Sequence, residues 1–199
     1  MYAHLETAAD GRGHGEDGPD PQLAGQPGLL GSVSFRQLAG SATVCLTLWE
    51  TEASATAHLG RRAALAARPG AIYEVAAATD GPASAQVPAW ARLMYFDGPR
   101  APEQAAAADR AGRERIWPAI SGLRGLVGAY VLHGHDLAAV IITLTTSTQT
   151  LDAAERAAMS TELLPGEDPA LLPGPDRIEI YHVTHSQRPA ATAASMKGR

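Results

Sequence analysis

Three kinds of side chain in this sequence suit proton-transfer and oxyanion chemistry: histidine, tyrosine and tryptophan. His58, His133 and His182 are the candidate bases, because an imidazole titrates near neutral pH and takes a proton with no cofactor beside it. Tyr73, Tyr95, Tyr181, Trp49 and Trp117 are candidates for binding an aromatic ligand, each being a broad apolar plate with one polar atom. Each has a structural alternative. Trp49 fits a packing role at a strand-to-helix corner, His58 an exposed or capping role on a helix, and the tyrosine phenols bond equally well to water or backbone. The run His133-Gly134-His135-Asp136 has the residue types of a metal site, but in a hairpin turn it reads as solvated, and no metal is expected. His182 and His185, three apart on what reads as a regular strand, are expected to point to opposite faces, which disfavours joint ligation.

Other chemistry is limited by what the sequence lacks. Lys197 is the only lysine and there is no asparagine, which removes Schiff-base and Asn-amide mechanisms. The single cysteine, Cys45, lies in an apolar strand-like run and reads as a small buried hydrophobe. Gly11-Arg12-Gly13-His14-Gly15 has neither a preceding βαβ context nor a helix to follow, so it is not a phosphate cradle. With 45% hydrophobic and 19% charged residues and a net charge of -5, the 199-residue chain has an ordinary globular composition. A nucleic-acid partner would need clustered Lys and Arg that are not seen here. The longest apolar run, Leu137 to Leu144, is far short of the ~20 residues of a membrane-crossing helix. The start Met1-Tyr2-Ala3-His4-Leu5-Glu6 does not read as a secretion signal, and a cytoplasmic location is expected.

The elements that must position these residues follow from an internal repeat. Gly28-Leu29-Leu30-Gly31-Ser32-Val33 is answered by Gly122-Leu123-Arg124-Gly125-Leu126-Val127, about 94 residues on. Each copy continues as a strand (Ser32 to Leu38; Leu126 to Leu132), turns near Gly40 or Gly134, and returns as a strand with Val44, Leu46 and Leu48, or Val140, Ile142 and Leu144, on one face. Alanine-rich helices are expected at Glu52 to Ala67 and Leu151 to Leu163. Last strands follow at Ile72-Tyr73-Glu74-Val75 and Ile180-Tyr181-His182-Val183. Opening strands are visible at Tyr2 to Leu5 and Leu93 to Phe96, and a helix starts at Pro102-Glu103 and runs to Trp117, where Pro118 disfavours continuation.

The order β-α-β-β-α-β is that of a split βαβ, ferredoxin-like unit, and two tandem units make the fold class α+β. Expected boundaries are 1–82 for the first unit, 83–88 for a linker, 89–185 for the second unit and 186–199 for a disordered tail. One such sheet leaves a face bare, so the units should cover each other, with residues 28–76 related to 122–184 by a pseudo-twofold axis and the two sheets facing each other. In the first unit Asp10 to Pro27 is dense in Gly, Asp and Pro; it reads as a mobile loop replacing helix one and leaving this unit's pocket the more open of the two.

The run Leu48-Trp49-Glu50-Thr51-Glu52-Ala53, continuing to Ala57-His58-Leu59 and preceded by Gly28-Leu29-Leu30-Gly31, resembles the antibiotic biosynthesis monooxygenase family. There a Gly-rich turn opens strand two and a Trp-Glu-Ser-like step leads from strand three into helix two. The resemblance covers nearly all of the first unit and, more weakly, the second, where Thr145-Thr146-Ser147 replaces the Trp-Glu step. It implies a dimeric α+β barrel, here as a single-chain pseudo-dimer or a homodimer of it, and a cofactor-independent oxygenase of aromatic polyketide phenols in secondary metabolism. The partners implied are a small aromatic substrate and dioxygen. A bound phenol or enol would lose its proton to a base, and the anion would reduce dioxygen directly. Trp117 and Tyr95 lie on the elements that wall the usual family cavity. Haem-degrading relatives need an axial histidine where this sequence reads Ala66-Ala67-Arg68-Pro69, which disfavours haem cleavage. The alternative is a non-oxidative binding or cyclase-like protein of the same fold.

Overall fold

Alternating small and β-branched residues build eight strands that close into one barrel. The structure, a computed structural model, describes residues 1–8, 23, 25–65 and 70–189. The first half contains β1 (Tyr2–Ala8), β2 (Leu29–Gln37), β3 (Thr43–Trp49), α1 (Glu52–Leu65) and β4 (Gly70–Asp80). The second contains β5 (Trp90–Phe96), α2 (Pro102–Ala111), a π-helical turn (Gly112–Ile116), α3 (Trp117–Ile120), β6 (Leu126–His133), β7 (Ala139–Thr145), α4 (Thr148–Met159) and β8 (Arg177–Gln187). The ring order is β1-β3-β2-β8-β5-β7-β6-β4, antiparallel at every seam.

The pseudo-dimeric α+β barrel is therefore present, but the expectation of two separate facing sheets needs correction. β4 pairs with β1 and then, further along, with β6, while β8 pairs with β5 and then with β2. Each long last strand thus belongs to both halves, and the halves join in one continuous closed sheet. The close approach at these seams explains two glycines. A Cβ on Gly31 would overlap the backbone oxygen of Gln187 in β8, and one on Gly128 would overlap that of Thr79 in β4. Arg188 Nη2 bonds Asp80 Oδ1 at 2.7 Å and ties the end of β8 to β4.

The repeat is real but its spacing differs from the sequence match. Gly28 O accepts from Glu50 N at 2.8 Å, and Gly125 O accepts from Thr146 N at 3.0 Å. One residue is bulged between Leu29 and Gly31, and one between Leu126 and Gly128. Gly28-Leu29-Leu30-Gly31 thus corresponds to Gly125-Leu126-Val127-Gly128, about 97 residues on, because glycines at both 122 and 125 offered a match. Tyr73 and Tyr181 are equivalent as expected, lying opposite Ala3 in β1 and Ala91 in β5.

Helix limits follow their caps. Thr51 Oγ1 accepts from Ser54 N at 3.2 Å and Ser147 Oγ accepts from Thr150 N at 3.2 Å, so the second half keeps the cap although it has lost the Trp-Glu pair. This cap starts α4 at Thr148 rather than Leu151, and the helix stops at Met159 rather than Leu163. The helical run from Pro102 also passes Pro118 and ends at Ile120. The π turn precedes the proline, which has no N–H for a carbonyl one turn back and is accommodated at the start of the next segment. Ser186 and Gln187 belong to β8 rather than to a tail. The loop expected at 10–27 falls largely outside the described residues, as do 190–199.

Strand parity decides what each side chain meets. The barrel interior is filled by residues such as Leu5, Phe35, Leu46, Leu93, Leu132 and Ile142. The alternate residues face outward, beneath α1 on β1, β3 and β4, or beneath α4 on β5 and β7.

Candidate functional site

Beneath α1, the outward face of the first half is polar although it is buried. His4, Thr47 and Ser32 form one row across β1, β3 and β2, and Glu6, Cys45 and Ser34 form the next, reaching His185 on β8. The alternation of β1 explains the row: Ala3 and Leu5 enter the barrel, so His4 and Glu6 cannot. His58 descends from α1 onto this face. Its ring centroid lies 4.9 Å from that of Trp49 and 5.4 Å from that of His4, the second contact being edge-on. Trp49 is fully buried, and its Nε1 donates to Thr47 Oγ1 at 2.9 Å, while Thr47 Oγ1 reaches the His4 carbonyl at 3.4 Å. His4, Glu6, Thr47 and His58 are each at most 4% exposed, so at these residues the first half is not the open one.

Of the residues singled out in the sequence, only His58 and Trp49 come together here. Tyr73, Tyr95 and Tyr181 sit in the barrel interior, on the other side of the sheet. Tyr181 OH donates to Glu179 Oε2. The Arg177 guanidinium lies 3.8 Å from the Tyr95 ring centroid. Burial, then Glu179, pushes Tyr95 up to about 12, and burial followed by the bond to Glu179 also raises Tyr181. Burial also raises Tyr73, with Asp97 adding to the effect. All three phenols therefore keep their protons at neutral pH.

Trp117 and Tyr95 do not wall one cavity. Trp117 packs outside the barrel against Ile120, Leu126 and Ala154, whereas Tyr95 points into it. His133 Nε2 lies 3.1 Å from Asp109 Oδ1 on α2; that bond, partly offset by burial, raises its pKa. His182 is exposed and meets the edge of Trp90 at 5.3 Å; one extra residue in β8 between Val183 and His185 breaks the plain alternation and puts His185 on the same outward face as His182, against the sequence expectation. The three histidines thus occupy three separate places.

Sequence reading missed His4 and Glu6. The signal was present in the period-two pattern of Ala3-His4-Leu5-Glu6, which sets two polar side chains on the face that a helix must cover. Among the described residues no group of three His, Cys, Asp or Glu is placed to hold a metal ion, and no helix is long and apolar enough to cross a membrane.

A closed antiparallel barrel of eight strands, built from two ferredoxin-like halves with helices outside, defines the protein as an α+β barrel of the dimeric type folded from one chain. No family profile and no curated protein matches the sequence. Solved structures do. An anthrone oxidase-like protein is 16% identical, covering 98% of this chain and 95% of its own, with a TM-score of 0.60. A Fusobacterium nucleatum protein with a provisional monooxygenase name is 8% identical over 94% of each chain, with a TM-score of 0.68. A Listeria monocytogenes ferredoxin-fold protein related to antibiotic biosynthesis monooxygenases is 12% identical, covering 90% of this chain and 93% of its own, at 0.51. At these identities the likeness is one of fold.

Proposed function

We propose that the protein is a cofactor-independent oxygenase of an electron-rich aromatic small molecule, with its chemistry on the buried polar face of the first half. The observation that carries this reading is the placement of His58, tilted against the Trp49 ring at 4.9 Å and edge-on to His4 inside the helix–sheet layer. Likeness in fold to an anthrone oxidase-like protein and to proteins with monooxygenase names supports the reaction class.

In this reading Trp49 offers a flat wall for an aromatic ring, held in orientation by its bond to Thr47. His58 removes an acidic proton from a phenol or from a methylene flanked by aromatic rings. Burial of the site excludes water, which strengthens the interaction of the resulting anion with nearby donors. The anion passes one electron to dioxygen, the substrate radical and superoxide combine to a peroxide, and His58 returns its proton to it. Loss of water then leaves a carbonyl, so a methylene and dioxygen become a ketone and water. The substrate supplies all the electrons.

The test is oxygen uptake by the purified full chain with an anthrone as substrate. The expected result is one water and one ketone formed per dioxygen consumed, with His58→Ala slowing turnover by about 10²- to 10⁴-fold, as loss of a general base does. An unchanged rate in His58→Ala removes His58 from the role. Product formation at the same rate without oxygen replaces oxygenation with the binding or cyclase-like reading.

A further inference from the structure

The second half presents the corresponding outward face with most of the polarity removed, leaving two threonines and one cation. By register, Arg92 stands where the first half has His4, each opposite a threonine, Thr143 or Thr47, on the neighbouring strand. Around it the first half's Glu6, Cys45, Ser32 and Ser34 are replaced by Met94, Ile141, Ala129 and Val131. A guanidinium in such surroundings needs partners for five N–H donors. Arg92 has 8% of its side chain exposed, yet among the described residues its hydrogen-bond partner is a single carboxylate, Glu155 Oε2 at 3.3 Å, on a side chain that is 59% exposed. Its Nε is buried with no hydrogen-bond partner.

This is a costly arrangement for a purely structural pair. A buried charge left short of hydrogen bonds costs more than its attraction to a solvated partner returns. Burial accordingly pulls the Arg92 guanidinium below its ordinary range, opposed by Glu155 and Asp152, although an arginine stays charged at neutral pH. Beside it, on β8, the outward face leaves apolar surface uncovered. Ile180, directly opposite Arg92, is 38% exposed and Ile178 is 50% exposed. Trp90, two residues before Arg92 on the same face, borders the patch and carries the edge-on contact with His182.

We propose that Arg92 anchors a second small-molecule site, on the outward face of β5 and β8 beside α4, for an aryl carboxylate. The ligand's carboxylate takes Arg92 Nε and one Nη in the planar two-point fashion that suits a guanidinium. Its ring lies over Ile180 and Ile178, next to Trp90. Glu155 occupies one guanidinium donor and, being largely solvated, swings away when the ligand arrives. The site is independent of His58 and lies on the opposite half of the barrel.

Calorimetric titration of the full chain with 2-naphthoate tests this. Saturable one-to-one binding is expected in the wild type. Arg92→Gln should weaken it at least tenfold and Arg92→Lys should weaken it less, because the charge remains but the planar fork is lost. Glu155→Gln should tighten binding severalfold by removing the competing carboxylate, and 2-naphthalenemethanol, which lacks the charge, should bind at least tenfold more weakly. Should Arg92→Gln fail to fold, Glu155→Gln and the neutral analogue decide the matter on folded protein. Equal affinity for the acid and the alcohol, or weaker binding in Glu155→Gln together with a lower Tm, overturns the proposal and leaves the pair as a strut between α4 and the sheet. Binding abolished by His58→Ala but untouched by Arg92→Gln also overturns it, placing the ligand in the first half.

Discussion

The two outward faces of the barrel share a backbone and differ in nearly everything above it. Both halves have the same bulge at the start of the second strand, the same carbonyl bond to the helix entry and the same hydroxyl cap. On that common frame the first half sets His4, Glu6, Thr47, Ser32 and Ser34 on the outward face, with Trp49 beside them on β3 and His58 coming down from α1. The second half has Arg92, Met94, Thr143, Ala129 and Val131, with Thr145 and Ala154 where the first has Trp49 and His58. There Trp117 and Ile120 of α3 pack against Leu126 and Ala154. Duplication thus allowed one face to concentrate buried polar groups while the other became a mostly apolar packing layer. The fold is held by what the halves have in common, and chemistry is free to follow where they differ.

Four tests break or sharpen that contrast, in order of expected size. His58→Ala should remove most turnover while thermal unfolding shows a folded barrel; a comparable rate loss from a change on the second face, such as Thr143→Ala, would put the chemistry on the wrong half. Trp49→Ala empties a fully buried indole site and should cost about 3–5 kcal/mol in chemical denaturation, whereas Thr145→Ala, at the equivalent position, should cost far less. Ser147→Ala and Thr51→Ala each remove a helix cap and should each lower stability by about 1 kcal/mol. Equal losses would support the common frame, and a large loss in only one would show that the halves do not use it alike.

The smallest effect concerns the contact that ties α2 to the barrel in the second half alone. The folded-state pKa of His133 is raised, chiefly by its bond to Asp109, with Glu74 adding to it and burial and Arg100 opposing it. The contact therefore contributes stability in full below the ordinary histidine pKa of about 6.5, and loses it as pH rises through the raised folded value. Stability measured across that window should fall with pH in the wild type and fall less in Asp109→Asn. Identical slopes would remove the His133–Asp109 pair as the cause.

Much of this was legible in the sequence because it is local. Gly-containing turns, period-two strands and the paired tyrosines at 73 and 181 gave the element order and the duplication. What failed depends on which way a strand faces. In a barrel whose sheet is covered on both sides, inward and outward residues are both buried, and hydrophobicity does not separate them. Tyr95 and Trp117 therefore looked like neighbours from their elements alone, yet they lie on opposite sides of the sheet. His4 and Glu6 escaped notice for a related reason: on a short opening strand, two polar residues read as ordinary alternation until the helix above them is seen. The spacing of the repeat was misread because Gly122 and Gly125 compete for the same match, and the hydrogen bond from Thr146 and the matching bulges choose between them.

The sharing of β8 between the halves bears on how the chain reaches this state. Thr184 Oγ1 bonds the carbonyl of Ser34 across 150 residues of sequence, so the last seam closes between the most widely separated strands. Such non-local pairing is slow, because the entropy of a long loop must be lost before the contacts form. During synthesis β2 and β5 are both complete well before β8 leaves the ribosome, and each then presents an unpaired edge open to other chains. Arg177 to Gln187 therefore acts as the closing stave of the barrel. A circular permutant that places this strand first would be made with its stave already in hand, and should refold faster and aggregate less at the same final stability.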